Sequence, residues 1–184
     1  MLLVFKSFVR SNFNYCPLIW HFCSKSNTDR LEKLQHRGLR IAYNDFDATY
    51  EDLLKRANMT TLHLSRTKTI AKEAFKCLNS LSPNFINDLL NYKQSNYSFR
   101  YRNTAEVPSF RTVAYGKCSF QFEAAQVWNS LPNNLRVVDN FKEFNRLLKT
   151  WTGPNCKCAM CCKLVFFYAC TLHPAFAFLS VLLL

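Results

Sequence analysis

The sequence predicts a mainly α-helical fold, a bundle of short helices with an apolar C-terminal tail. Apolar residues recur at helical spacing in several segments between residues 26 and 151. Most of these segments begin with a Ser, Thr or Asn of the kind that caps a helix. The 184 residues include only three Gly, which leaves little room for a glycine-rich barrel. Hydrophobic residues make up 49% of the chain, and this excludes general disorder.

Cap and break signals place the helices of the first half. Residues 1–10 are compatible with a helix or a strand, and residues 12–17 predict a break. Ser26-Asn27-Thr28-Asp29 forms a capping box, in which the hydroxyl caps the first turn and the carboxylate bonds back. It predicts a helix to about residue 43. The apolar seam of that helix is predicted to be Leu31, Leu34, Gly38 and Ile41.

A second capping box, Thr49 to Asp52, predicts a short helix. The longest predicted helix covers residues 63–81. Ser82-Pro83 then predicts a new helix, with the hydroxyl as cap and proline in the first turn.

The second half opens with a segment of different character. Helical periodicity disappears over residues 92–118, which predicts a loop or small β segment with one or two short strands around Arg111 to Tyr115. Ser119 predicts the cap of a helix that Pro132 ends. Asn140 with Glu143 predicts the last helix of the body.

Composition divides the chain into three regions, which are a helical body over residues 1–151, a cysteine-rich segment over 152–162 and a hydrophobic tail over 163–184. Residues 164–184 carry no charge and are long enough to span a bilayer. Lys157 and Lys163 would keep the near end cytoplasmic. Against a span, His173 and Pro174 lie mid-tail. A membrane anchor, translated flanking sequence and a core helix stay open as interpretations.

The charge of the chain indicates an anionic partner. There are 24 Lys and Arg against 12 Asp and Glu, a formal net charge of +12, which favours nucleic acid or a membrane surface. Helical spacing places four basic residues in one stripe, with Glu32 the acidic residue within its span. The alternative is an ordinary solvated helix face. The stripe consists of Arg30, Lys33, Arg37 and Arg40.

A second candidate for nucleic-acid contact lies in the segment without helical periodicity. Aromatic and basic residues alternate there, a mixture that can stack bases while neutralising phosphates. The alternative is a loop that packs on the helices through its aromatic rings. The basic members are Arg100, Arg102, Arg111 and Lys117, and the aromatic ones are Tyr97, Phe99, Tyr101, Phe110 and Tyr115.

The one metal-like spacing is Cys156, Cys158 and Cys161, a C-x-C-x2-C pattern that could place three thiolates around one zinc ion. Cys170 or His173 would have to supply the fourth ligand. Incidental thiols and an intermolecular site are the alternatives, and zinc is the only cofactor that the sequence suggests. We expect reduced thiols in an intracellular protein of the nucleus or cytoplasm, with a membrane location through the tail as the alternative. Four further cysteines are scattered along the body, and each is predicted to be a small buried hydrophobic residue. They are Cys16, Cys23, Cys77 and Cys118.

Catalysis is not predicted. Metal-dependent polymerases and nucleases need clustered carboxylates, and the close acidic pairs Asp45 with Asp47 and Glu51 with Asp52 fall where caps and turns place acids. No phosphate-binding loop, dinucleotide fingerprint or nucleophile elbow is present. The sequence therefore predicts no enzyme, no catalytic residue and no small-molecule substrate.

Several strings of the body are distinctive. The most specific are Asn14-Tyr15-Cys16-Pro17-Leu18-Ile19-Trp20 and Trp128-Asn129-Ser130-Leu131-Pro132. Together they resemble the region downstream of the polymerase core in non-LTR retrotransposon reverse transcriptases. The resemblance covers roughly residues 5–162. It is supported in order by Leu31 to Gln35, Tyr50 to Leu54, Ala74 to Lys76, Leu81 to Pro83, Phe141 to Phe144 and the C-x-C-x2-C segment.

The resemblance implies a C-terminal fragment of an RNA-directed DNA polymerase, covering its thumb and extension. The aspartate pair of the family's palm has no counterpart here, so no catalytic residue transfers. The implied role is to grip the backbone of a template–primer duplex of RNA or DNA with basic helices. Two other functions stay open, a tail-anchored membrane protein with a basic cytoplasmic body and a zinc-dependent interaction module.

Overall fold

The computed structural model describes residues 1–94 and 103–153, without the side chains of residues 114 and 115. These residues are mainly helical, which confirms the predicted fold class. The helices are α1 (Leu2–Val4), α2 (Arg10–Asn14), α3 (Pro17–His21), α4 (Lys25–Tyr43), α5 (Tyr50–Ala57), α6 (Leu62–Leu78), α7 (Asn84–Asn87), α8 (Phe120–Ser130), α9 (Asn133–Arg136) and α10 (Phe141–Thr150). Single π-helical turns cover Phe5–Val9 and Val113–Lys117.

The strand predicted around Arg111 to Tyr115 is wrong. That segment enters the π-helical turn Val113–Lys117, and the β pairing seen within the described residues is one isolated antiparallel bridge between Tyr92 and Ala105. The physical reason is that the N–H groups of residues 116–118 bond locally to the carbonyls of Thr112 and Val113. Beside the isolated bridge, Ala105 also pairs with a side chain. The amide of Asn129 accepts from the Ala105 N–H at 2.8 Å and donates to the Ala105 carbonyl at 2.9 Å.

The chain forms two compact units. Unit 1 contains Met1–Asn12 and Ser24–Leu62, and unit 2 contains Phe13–Cys23 with the described part of His63–Pro154. The core of unit 2 forms where α6, α8 and α10 meet. The rings of Phe75 and Phe144 stack with centroids 4.5 Å apart, and Trp128 lies 6.3 Å from Phe75 and 6.1 Å from Phe144.

The core of unit 1 packs α4 and α5 with the N-terminal segment. Buried Phe5, Leu39, Leu53 and Leu54 form its centre. Gly38 lets the first segment approach α4, because a Cβ there would lie 2.3 Å from the Phe5 ring. Glycine at this position therefore has a packing role that helical periodicity alone does not reveal.

The apolar seam predicted for α4 is wrong. Leu34 and Ile41 are 53% and 51% exposed. The buried positions are instead Thr28, Glu32, Gln35 and Leu39. The Glu32 carboxylate and the Gln35 amide N–H groups face inward because they form hydrogen bonds there, which a hydrophobic pattern does not register.

Side-chain caps explain most of the predicted helix starts. Thr49 Oγ1 accepts from the Asp52 N–H, Ser119 Oγ accepts from the Phe122 N–H, and Asn140 Oδ1 accepts from the Lys142 N–H. These three predicted caps are confirmed. The cap predicted at Ser26 is wrong, since Ser24 caps α4 two residues earlier.

Two further helix predictions need correction. No side-chain hydrogen bond caps α7, which begins after Pro83 and not at Ser82. The helix predicted over residues 63–81 is α6, with 17 residues, and α4 is longer with 19.

Candidate nucleic-acid interface

The outward face of α4 carries the predicted basic stripe. Arg30, Lys33 and Arg37 are exposed, and Arg40 is half-buried. Arg30 and Arg37 lie on the side of the helix opposite Glu32 and Leu39, which are fully buried in unit 1. Lys33 and Arg40 flank this outward side. None of the ion pairs within residues 1–94 and 103–153 engages Arg30, Lys33 or Arg37. We call these three residues the α4 row.

Glu32, the acidic residue within the stripe's span, turns away from the α4 row. Its Oε2 accepts a hydrogen bond of 2.6 Å from the Tyr50 hydroxyl and one of 3.2 Å from the Leu62 N–H. The Gln35 amide donates to the Tyr50 hydroxyl at 2.9 Å and to the Thr60 carbonyl at 3.2 Å. Glu32 is thus a structural acceptor in the interior of unit 1 and does not lie among the exposed cations.

Arg10 lies close enough to this buried network for the charges of the network to affect the pKa of its guanidinium. Burial lowers the pKa of the Arg10 guanidinium, while Tyr50 and Glu32 act in the opposite direction. The negative field of Glu32 is therefore directed into unit 1, toward Tyr50, the backbone of Leu62 and Arg10.

The second predicted set is only partly described. Arg111 is exposed before the π-helical turn of unit 2, and Lys117 is exposed as the last residue of that turn. The Phe110 ring packs edge-on against Phe122 at 4.8 Å, and a Cβ on Gly116 would lie 2.2 Å from the Phe110 Cβ. Phe110 therefore packs against α8 and the π-helical turn on one side, while 42% of its surface stays exposed. Arg100, Arg102, Tyr97, Phe99 and Tyr101 lie outside the described residues, as does the side chain of Tyr115.

The predicted zinc ligands Cys156, Cys158 and Cys161 also lie outside the described residues, with Cys170, His173 and the tail over 163–184. Across the part of the chain that the structure describes, no group of three His, Cys, Asp or Glu could hold a metal ion. In the same part, no helix is both long and apolar enough to cross a membrane.

The cysteines of the body do not all match their prediction. Cys77 is buried, and burial raises the pKa of its thiol. Cys16 and Cys118 are exposed, so the expectation of small buried residues is wrong for these two. Cys16 lies at the turn before Pro17 with a φ of +45°, a position that leaves its side chain at the surface.

A further group of basic side chains lies on α6 and α10 of unit 2, two helices for which the sequence predicted no binding residue. The Lys68 ammonium donates to the Lys149 carbonyl at 2.8 Å, and the Lys76 Nζ lies 5.4 Å from the centre of the Phe141 ring. These contacts at opposite ends show that α6 and α10 run antiparallel side by side. The lysine spacing in each helix was visible in the sequence, but only this pairing brings the two series together.

An ion pair joins two distant parts of unit 2. His21 Nε2 lies 3.2 Å from Glu123 Oε1, and the His21 side chain is only 7% exposed. The ring of His63 lies 5.6 Å from that of His21, centroid to centroid. The hydrogen bond from His21 lowers the pKa of Glu123, and the charges of His21, His63 and Lys117 lower it further. Because 102 residues separate His21 from Glu123, sequence spacing gave no sign of this pair.

Glu123→Gln should therefore destabilise the protein at about pH 7 and have progressively less effect as the pH falls below the ordinary glutamate pKa of 4.5. A carboxyl with a depressed pKa in the folded state stabilises the fold above its ordinary value of 4.5, and this contribution is lost as the pH falls through the depressed value. Urea unfolding of both proteins across this range measures the difference. A difference that is constant with pH would contradict the assignment to the carboxylate charge.

Comparison with protein-family models, curated proteins and solved structures gives no match to this chain. The resemblance to reverse transcriptases therefore stays a prediction.

Proposed function

We propose that this chain binds a nucleic-acid duplex by its phosphate backbone and has no catalysis of its own. The observation that carries the proposal is the α4 row, from which the acidic residue of its span is withdrawn into the interior. The resemblance to the post-palm region of retrotransposon reverse transcriptases favours a template–primer duplex of RNA or DNA as the ligand.

The chemistry of the α4 row suits phosphates. Arg30 and Arg37 are seven positions apart, which is about 10 Å along a helix axis. A duplex carries one negative charge per about 1.7 Å of its axis, so a row of this length meets several phosphates. Guanidinium and ammonium groups bind phosphate oxygens without reading base identity. The expected binding is sensitive to salt and largely independent of sequence.

Replacing Arg30, Lys33 and Arg37 together by Gln should weaken duplex binding and flatten its salt dependence. Each phosphate contact contributes about 0.9 to the slope of log K against log salt, so the slope should fall in magnitude by about 2–3. Gln keeps helix propensity close to that of Arg and Lys, so α4 should remain folded. Fluorescence anisotropy with a labelled duplex over a salt series measures the slope.

A matched control removes three exposed lysines outside the α4 row and lowers the net charge by the same amount. They are Lys25 at the first position of α4, Lys55 and Lys93. If charge alone matters, the two variants will lose the same slope, which contradicts a specific interface. If the wild-type chain shows no duplex binding at about 50 mM salt, the proposed function is wrong.

A further inference from the structure

The antiparallel pair of α6 and α10 presents a row of cations on the surface of unit 2. Lys142 and Lys149 are exposed and share one face of α10 with Arg146, because their spacings are i, i+4 and i+7. On α6, Lys72 is one turn from Lys68 and one turn from Lys76. Since both of those neighbours contact α10, Lys72 lies along the same edge.

Carboxylates compensate this edge only in part. Glu73 is bound by Lys76 at 2.9 Å, and Glu143 lies 3.6 Å from Arg146. The Arg146 side chain is 71% exposed, so that pair is screened by water. Burial raises the pKa of Tyr92, and the charge of Asp139, which precedes α10, raises it further. Lys72, Lys142 and Lys149 take part in none of the ion pairs within the part of the chain described here.

Lys68 has a different role from the other cations. It is half-buried and its ammonium caps the carbonyl of Lys149 at the C-terminal end of α10, where the helix dipole favours a cation. Burial lowers the pKa of Lys68, and the charge of Lys72 lowers it further. Two lysines at i and i+4 repel each other, so an anion that binds at this edge reduces the electrostatic repulsion between them.

We infer that unit 2 carries a second surface for a nucleic-acid backbone, formed by Lys72, Lys142, Arg146 and Lys149, with Lys68 holding α10 in place. This inference rests on the proposed function, since it adds a second contact surface for the same class of ligand. We call these four residues the α6–α10 surface.

The surroundings favour a nucleic acid over a membrane as the ligand. No large exposed hydrophobic side chain lies on α6 or α10. Helices that bind at a lipid interface bury an apolar face beside their cations. The exposed residues of α10 are polar or charged, so the surface is suited to a hydrated phosphate backbone.

The test replaces Lys72, Lys142 and Lys149 by Gln in the full chain. These three lack a carboxylate partner, and the variant keeps both the Lys68 bond to the backbone of residue 149 and the Arg146–Glu143 pair. The salt slope of duplex binding should fall in magnitude by about 2–3, as for the α4 row. A six-residue variant that combines both triples should lose about 5, because the contributions of separate phosphate contacts to the slope add.

The outcomes separate this inference from the proposed function. If the α4 triple flattens the slope and the unit 2 triple matches the Lys25, Lys55 and Lys93 control, the inference is wrong and the proposed function stands. If only the unit 2 triple flattens it, the second surface is supported and the α4 assignment fails. Loss of binding to vesicles of anionic lipid, with duplex binding unchanged, would also overturn the inference. If the wild-type chain binds no duplex, both fail.

Discussion

Replacing Trp128 by Ala is expected to lower the free energy of unfolding by about 3–5 kcal/mol. The side chain is fully buried beside the stacked rings of Phe75 and Phe144, so its removal leaves a cavity where α6, α8 and α10 meet. Its Nε1 also donates to the Asn103 carbonyl at 2.7 Å, and Asn103 in turn donates to the carbonyl of Arg136. Urea unfolding followed by far-ultraviolet circular dichroism measures the change.

Trp128→Phe is the matched control for the hydrogen bond. It keeps an aromatic ring in the core but leaves the Asn103 carbonyl without its indole donor, so we expect a smaller loss of about 1–3 kcal/mol. An equal loss for Phe and Ala would contradict the packing argument. A loss under about 1 kcal/mol for Trp128→Ala would show that Trp128 does not hold the three helices together.

Replacing Glu32 by Ala is expected to cost about 2–4 kcal/mol, because a buried donor left without an acceptor costs about 1–3 kcal/mol. The Tyr50 hydroxyl and the Leu62 N–H would both lose the Glu32 carboxylate, and Arg10 would lose a neighbouring negative charge. Thermal and urea unfolding measure the loss. Glu32→Gln keeps one acceptor oxygen and should cost less than Ala.

Binding data separate this structural role from a surface role. If Glu32 lay among the exposed cations, Glu32→Gln would strengthen duplex binding and steepen its salt dependence. Because Glu32 is buried, the folded fraction should bind with an unchanged salt slope. A steeper slope in the Gln variant would contradict the inward orientation of Glu32.

The distinctive Trp128-Asn129-Ser130 string has a structural role in unit 2. Trp128 fills the core, and Asn129 pairs with both backbone groups of Ala105. The Ser130 hydroxyl donates to the Val127 carbonyl at 2.6 Å, near the end of α8. These contacts give the string a structural role in unit 2 that does not depend on the family of the chain.

Local signals predicted much of the secondary structure. The caps at Thr49, Ser119 and Asn140 are hydrogen bonds between residues at most three positions apart. A local sequence pattern is therefore enough to predict them. The strand predicted near Arg111 is absent because the N–H groups of residues 116–118 bond to the carbonyls of Thr112 and Val113 within a π-helical turn and not to a neighbouring strand.

The candidate interface divides in the same way. The composition and the spacing of Arg30, Lys33 and Arg37 determined that one helix face is basic. Tertiary structure decided whether an acidic side chain lies on that face. Glu32 points inward because it accepts hydrogen bonds from the Tyr50 hydroxyl and the Leu62 N–H, and Leu34 lies at the surface instead.

The α6–α10 surface also could not be predicted from sequence spacing alone. Each helix has its lysine spacing in the sequence, but the two series become one surface only where Phe75 stacks on Phe144 and Lys68 reaches the carbonyl of Lys149. The sequence by itself thus determined a helical, basic chain. The tertiary structure decided which charges are exposed and which share a surface, because burial and long-range hydrogen bonds depend on partners far away in the chain.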